Sequence, residues 1–250
     1  MIVLAFDTTS LKSSLALAQD GVVLAAVEGD QQLPHSQTLF TSLTAVLSSA
    51  GINLAQIDLL AGNTGPGSFT GLRVGLAALK GLAQALNRQV IGINALDLTA
   101  LAVGVEARYL ILLEAGRNEV FAGLRMIGPA GSVVSSGADL VSDLPAAISH
   151  YQSELDQGVI LAGSGVTKHL GQLDEIAGKL GRTMNSLSTL SGLEASRHLL
   201  IGKDWAMQLA VPPLAATLAI AAPQYLANAG YAKLKAYYIR KSDAELKLTN

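Results

Sequence analysis

The sequence predicts an α/β protein of two lobes, each a mixed sheet covered by helices. Three observations lead there: a β-β-β-α-β-α order that occurs twice, a glycine-rich loop between a strand and a helix, and 50% hydrophobic against 14% charged residues. At roughly 150 residues per domain, a chain of 250 residues fits one large domain or two small lobes.

Residues 2–6, 14–18 and 22–27 read as strands, the last two joined by the turn Asp20-Gly21, which makes an antiparallel meander. Pro34 precedes a helix running to residue 50, with Leu39, Leu43, Val46 and Leu47 at helical spacing and Gly51 as its stop. A strand follows at 57–62, a helix at 70–86, a strand at 90–93 and a helix at 94–103. The pattern then restarts with strands at 109–113, 119–126 and 132–135, a helix at 142–155, a strand at 159–162 and a helix at 166–180. In this duplicate Glu114 stands where Asp7 stands in the first half. Helices are expected at 193–209 and 213–228, the second with prolines in its first turn. The expected organisation is a first lobe at 1–105, a second at 106–232 and a basic tail at 233–250.

The 17 basic and 19 acidic residues leave a net charge of -2, which excludes a global basic field drawing the chain onto nucleic acid. Lys12 is the only basic residue before Arg73, while Lys233, Lys235, Arg240, Lys241 and Lys247 crowd the tail, as a solvated surface or an RNA site. The absence of cysteine excludes disulfides and thiolate chemistry and fits a reducing cytoplasm. MIVLAFDTTS reads as a strand rather than a signal peptide. The uncharged run 209–222 is too short for a span of about 20 residues and is broken by Pro212 and Pro213, so it reads as a buried helix without membrane contact.

The loop around Gly65, Gly67 and Ser68 lies where backbone N–H groups favour an anion, and it reads equally as a tight turn with a capping hydroxyl. It lacks the lysine of a phosphate-binding P-loop, and its third glycine falls one residue late for a dinucleotide fingerprint. Asp7, Thr8 and Thr9, at the turn after the first strand, either organise that turn or meet a phosphate. His35, His150, His169 and His198 form no pair at helical spacing, so no metal site is expected, and no nucleophile elbow occurs.

The helix after the loop carries a bulky stripe, Leu72, Leu76, Leu79, Ala83 and Leu86, sufficient for one sheet. Beside it runs a second stripe, Gly71, Val74, Gly75, Ala78, Gly81, Leu82 and Ala85. Glycine within a helix costs about 0.5–1 kcal/mol, so Gly75 and Gly81 point to a close neighbour: an internal helix, or another protein.

The segments LAFDTTS, HSQTLFTSL, GNTGPGSFTGLRVGLAALKGLA, LEAGRNEVF and YYIRKSDAELK resemble the bacterial TsaB (YeaZ) family, well over the first 125 residues and in architecture alone from 126 to 232. The resemblance implies the two-lobed actin-like ATPase (ASKHA) fold. It implies a cytoplasmic subunit, not an enzyme on its own, of the complex that makes N6-threonylcarbamoyladenosine in tRNA. TsaD would be its heterodimer partner and the catalyst, TsaE an ATPase partner, and tRNA would be met only through the complex. The partner interface would use His35, Gly71, Val74, Gly75, Ala78 and Leu82. TsaD carries two metal-binding histidines four residues apart, whereas here Leu39 follows His35 at that spacing, which implies a non-catalytic paralogue. Catalytic residues and required cofactors are therefore not expected. Weak ATP or ADP binding at Asp7, Thr8, Thr9, Gly65, Gly67 and Ser68 stays open, as does a homodimer in isolation. The rival reading is an ASKHA-type ATP-dependent small-molecule kinase.

Overall fold

The computed structural model describes residues 1–10, 12–30, 32–187, 204–208, 213–230 and 232–239. The described residues form two compact units, one from Met1–Leu98 and Pro212–Asn250, the other from Thr99–Val211.

In the first unit β1 (Ile2–Asp7), β2 (Ser14–Gln19) and β3 (Val22–Glu28) make the expected antiparallel meander. Its tight turn uses Asp20 and Gly21 at φ 49° and 84°, the left-handed pair that matches the twist of a two-residue hairpin. Helix α1 (His35–Ala50) ends on Gly51 at φ 65°, whose N–H reaches back to the Leu47 and Ser48 carbonyls. Next come β4 (Leu59–Asn63), α2 (Phe69–Leu86), β5 (Gln89–Ile93) and α3 (Ala95–Val103), the last running on into the second unit. The sheet has the order β3-β2-β1-β4-β5, with β4 parallel to both β1 and β5.

Strand alternation puts Leu4, Phe6, Leu15, Leu17, Leu60 and Val90 into one core with Leu39, Leu43 and Val46 of α1 and Leu72, Leu76, Leu79 and Ala83 of α2. The bulky stripe read from the sequence is thus the side of α2 that covers its own sheet, except that Leu86 is only half-buried.

The helix expected at 213–228 is α8 (Leu214–Ala221) followed by a 3-10 stretch, Ala222–Asn228, that contains Pro223. It packs against β2 and β1, so it belongs with the first unit, a correction to the expected second-lobe boundary at 232. The reason is local: the buried Ala16, Ala18, Val3 and Ala5 alternate with the larger core residues along β1 and β2, and these small side chains admit a helix rich in alanine. The tail follows into the same unit. Leu234 is fully buried among the α2 core residues, and the missing side chain of Gly92 helps make its room, a Cβ there lying 3.0 Å from it.

The second unit repeats the plan with β6 (Arg108–Glu114), β7 (Glu119–Ile127) and β8 (Val133–Asp143), α4 (Leu144–His150), α5 (Gln152–Leu155), β9 (Ile160–Ala162), α6 (Ser164–Lys168) and α7 (Leu170–Lys179). With β10 (Met184–Leu187) and β11 (Trp205–Gln208) the sheet order is β10-β11-β9-β6-β7-β8.

Two expectations are corrected here. Strand β8 runs to residue 143, past the expected end at 135, because Asp143 caps α4 by accepting the Ala146 N–H at 2.8 Å. Register shifts against β7 between Ala122 and Leu124, where Arg125 and Asp139 pair at 2.7 Å, both nearly inaccessible. That break in alternation hid the strand. The helix expected at 193–209 lies mostly outside the described residues, but its described part, Trp205–Gln208, is a strand parallel to β9 with Trp205 buried.

Tyr151 sits under this ion pair, its hydroxyl donating to the Ala138 carbonyl at 3.2 Å. Burial, reinforced by the Asp139 carboxylate, pushes its phenol up to about 12 from 10. The folded state therefore keeps a proton that the unfolded state releases. Its stabilising effect is complete below pH 10 and is lost as pH rises toward about 12. Alkaline unfolding followed by Trp205 fluorescence should show a steeper loss of stability over that window in the wild type than in Tyr151→Phe.

Candidate functional site

Asp7 is the last residue of β1 and is buried, so its carboxylate needs donors. Its Oδ1 accepts from the Thr9 N–H (3.0 Å), the Thr9 hydroxyl (2.7 Å) and Asn63 Nδ2 (3.1 Å). Asn63, at the end of the adjacent parallel strand β4, also reaches Thr9 Oγ1 at 3.1 Å and accepts the Gly65 N–H on its own Oδ1 at 3.0 Å. The glycine loop then lies on Thr9: the Ser68 N–H donates to the Thr9 carbonyl at 2.7 Å, and a side chain at Gly67 would collide with it. Ser68 Oγ accepts the Gly71 N–H at 3.1 Å and so caps α2.

The structure thus brings together all six of Asp7, Thr8, Thr9, Gly65, Gly67 and Ser68. It also shows what they do to one another. The N–H groups of Thr9, Gly65, Ser68 and Gly71, which a phosphate would use, each donate within the cluster. Asn63, which sequence reasoning passed over, is its hub. The signal was available, since an Asn at the end of a strand next to a buried Asp is a ready donor.

The expected partner stripe separates into two sets. Gly71 and Gly75 are buried: Thr8 Oγ1 donates to the Gly71 carbonyl at 2.8 Å, and a Cβ at Gly75 would strike the Thr8 side chain. These two glycines serve the approach of α2 to the turn after β1, which corrects their placement on a surface for another protein. Val74, Ala78 and Leu82 remain half-buried at the rim of the core, while at Gly81 nothing comes within 4 Å of where a Cβ would be.

Helix α1 supplies what the sequence reading missed. It carries no charged residue from 35 to 50, and Phe40 on it is 57% exposed. It packs beside α2, and neither Phe40 nor the half-buried Val74, Ala78 and Leu82 brings a charge to this helix pair. His35 opens α1, but its side chain lies outside what the structure describes. Leu39, four residues on, is a core residue.

In the second unit the equivalent position differs. Glu114 is exposed and pairs with Lys168 at 3.5 Å, beside a pocket of ≈ 340 Å³ lined by Gly116, Arg117, Asn118, Glu119 and His169. Gly163 and Gly165 fit because their Cβ positions would strike the Leu112 backbone, which explains that glycine pair by packing. Among the described residues no cluster of three His, Asp or Glu could hold a metal ion, and no helix is long and apolar enough to cross a membrane.

A family model described as TsaD, tRNA N6-adenosine threonylcarbamoyltransferase, matches residues 28–156. The chain is 34% identical over 126 residues to the tRNA threonylcarbamoyladenosine biosynthesis protein TsaB of Escherichia coli K12, covering 48% of this chain and 53% of that protein. It thus spans about half the length of that curated relative. It is also 30% identical over 174 residues to an uncharacterized protein of Mycobacterium tuberculosis H37Rv, covering 67% of this chain and 73% of that one. Among solved structures, YeaZ from Pseudomonas aeruginosa matches with a TM-score of 0.64 at 20% identity, over 95% of this chain and 99% of that one, which shows a shared fold.

Gly75→Ala should lower the melting temperature, because overpacking against Thr8 costs about 1–3 kcal/mol, whereas Ala78→Glu should leave it nearly unchanged. Asn63→Ala, which strips a donor from Asp7 and an acceptor from Gly65, should cost about 1–3 kcal/mol in urea unfolding.

Proposed function

The chain belongs to the family described as TsaD, tRNA N6-adenosine threonylcarbamoyltransferase, and within it to the TsaB (YeaZ) group with its two-lobed ASKHA fold; from that premise we propose that it is the non-catalytic subunit of the assembly that forms threonylcarbamoyladenosine in tRNA. Its task is to bind and support TsaD. The observation that carries this reading is the uncharged α1 packed beside α2, with Phe40 set out into solvent on the one helix and Val74, Ala78 and Leu82 half-buried on the other. An exposed apolar surface on a helix pair whose inner faces already fill a core is a surface for another chain.

The identity of that chain follows from likeness. A model of the transferase matches this sequence from Glu28, at the end of β3, through α5, a stretch that includes α1 and α2, so both proteins carry helices of related build. Two related lobes can pair through equivalent helices about a pseudo-two-fold axis, each apolar layer covering the other. In the absence of TsaD the same layer would form a homodimer, and TsaE would join the assembled pair. The non-catalytic role is supported by Leu39, whose burial takes the position of the second histidine into the core.

The rival reading, a small-molecule kinase, draws little support from the turn after β1, since its N–H groups are engaged by Asp7, Asn63 and Ser68. No cofactor is required in the proposed role, and nucleotide binding at that turn would be weak.

The interface is tested by light scattering of the purified chain mixed with TsaD of the same organism. Wild type should give a heterodimer, and Phe40→Glu and Ala78→Glu should weaken association at least about tenfold, the effect of 1.4 kcal/mol or more, without loss of folding. A mixture in which both variants pair as the wild type does would refute the interface.

A further inference from the structure

We propose that Phe69, Arg73 and Tyr238 form a stacking platform for an unpaired base of single-stranded RNA, with Lys235 placed for the adjoining phosphate. The proposal rests on the tRNA-modifying role above and goes beyond it, since it gives this subunit its own contact with the RNA strand.

Helix α2 has two shoulders beside its buried face. At about 100° per residue, Phe69 and Arg73 lie roughly 40° apart on one, while Val74, Ala78 and Leu82 lie on the other. The platform is therefore distinct from the apolar layer assigned to TsaD. On it, the Phe69 and Tyr238 rings stand 5.4 Å apart at 42°, and the Arg73 guanidinium sits 3.8 Å over the Phe69 ring. Phe69 is 36% and Tyr238 46% exposed, and neither is part of the hydrophobic core.

The tail is fixed there, so the pairing of Phe69 with Tyr238 is a built feature. Leu234 is fully buried, and the Tyr237 N–H donates to the Thr64 carbonyl at 2.7 Å. Lys233 and Lys235 flank Leu234 and are exposed, and three residues of extended chain put Lys235 within about 10 Å of Tyr238.

The charge on this surface runs against the rest of the first unit. Lys12 is the only basic residue before Arg73, yet here Arg73 lies over Phe69 and Lys235 stands three residues from Tyr238, while Lys233 donates farther back, to the Ala227 carbonyl. Exposed rings interleaved with cations match single-stranded nucleic acid: a base of any identity offers a flat face to stack, and the strand offers phosphates. A protein partner would sooner use the uncharged shoulder of Val74, Ala78 and Leu82.

The test is fluorescence anisotropy with a labelled RNA anticodon stem-loop, titrated with the full chain alone and with its TsaD mixture. The variants are Tyr238→Ala, Tyr238→Phe and Lys235→Glu, with heterodimer formation read in parallel by light scattering. Tyr238→Ala should weaken RNA binding about 5- to 30-fold, Tyr238→Phe should restore it, and Lys235→Glu should weaken it with a shallower salt dependence, all three still pairing with TsaD. Lys235→Glu lies on an exposed side chain, so it remains informative if Tyr238→Ala loosens the tail. Equal RNA affinity across wild type and variants overturns the platform. Loss of TsaD pairing with RNA affinity intact also overturns it, by making the surface a protein contact. A wild type that binds RNA through these residues but ignores TsaD would sink the scaffold role instead.

Discussion

The approach of α2 to the turn after β1 is the constraint on which the first unit depends. Thr8 can donate to the Gly71 carbonyl only because Gly75, one turn on, presents no side chain to it. That contact sets the height of α2 over the sheet, and the height sets the rest. Leu72, Leu76 and Leu79 reach the sheet core, Ser68 caps the helix, and the glycine loop rests on Thr9. Asp7 and Asn63 complete the arrangement from below, each satisfying groups that burial would otherwise leave without partners.

The same constraint decides which residues of α2 are left for other molecules. Had Gly71 and Gly75 faced outward, the helix would offer a small-residue seam to a partner backbone. With both turned inward, α2 keeps for a partner the half-buried Val74, Ala78 and Leu82, on a helix packed beside the uncharged α1 and its exposed Phe40. The duplication has diverged accordingly. In the first unit the acid at the end of the leading strand is buried and knits a turn together, while in the second Glu114 stands in solvent beside Lys168.

Much of the fold was legible in the sequence because period and punctuation agreed. The meander, Gly51 as a helix stop, and the bulky stripe of α2 each had a local cause. What escaped was set by tertiary context. The extent of β8 was hidden by a register shift around a buried ion pair, and the placement of α8 by the small residues of β1 and β2 that receive it. The candidate site was legible as a set of residues but not as a hydrogen-bond network. Sequence could see that Gly75 needs a close neighbour, yet not that the neighbour is Thr8, and it expected the same of Gly81, where nothing comes within 4 Å of a Cβ. Phe40 was overlooked because a lone aromatic in a helix reads as core until its direction is known.

The most direct measurement of the central claim is hydrogen exchange of this protein with and without TsaD, read peptide by peptide. The account predicts new protection in α1 and on the half-buried residues of α2, with the Glu114–Glu119 hairpin unchanged. Protection confined to that hairpin, with α1 and α2 exchanging as before, would contradict it.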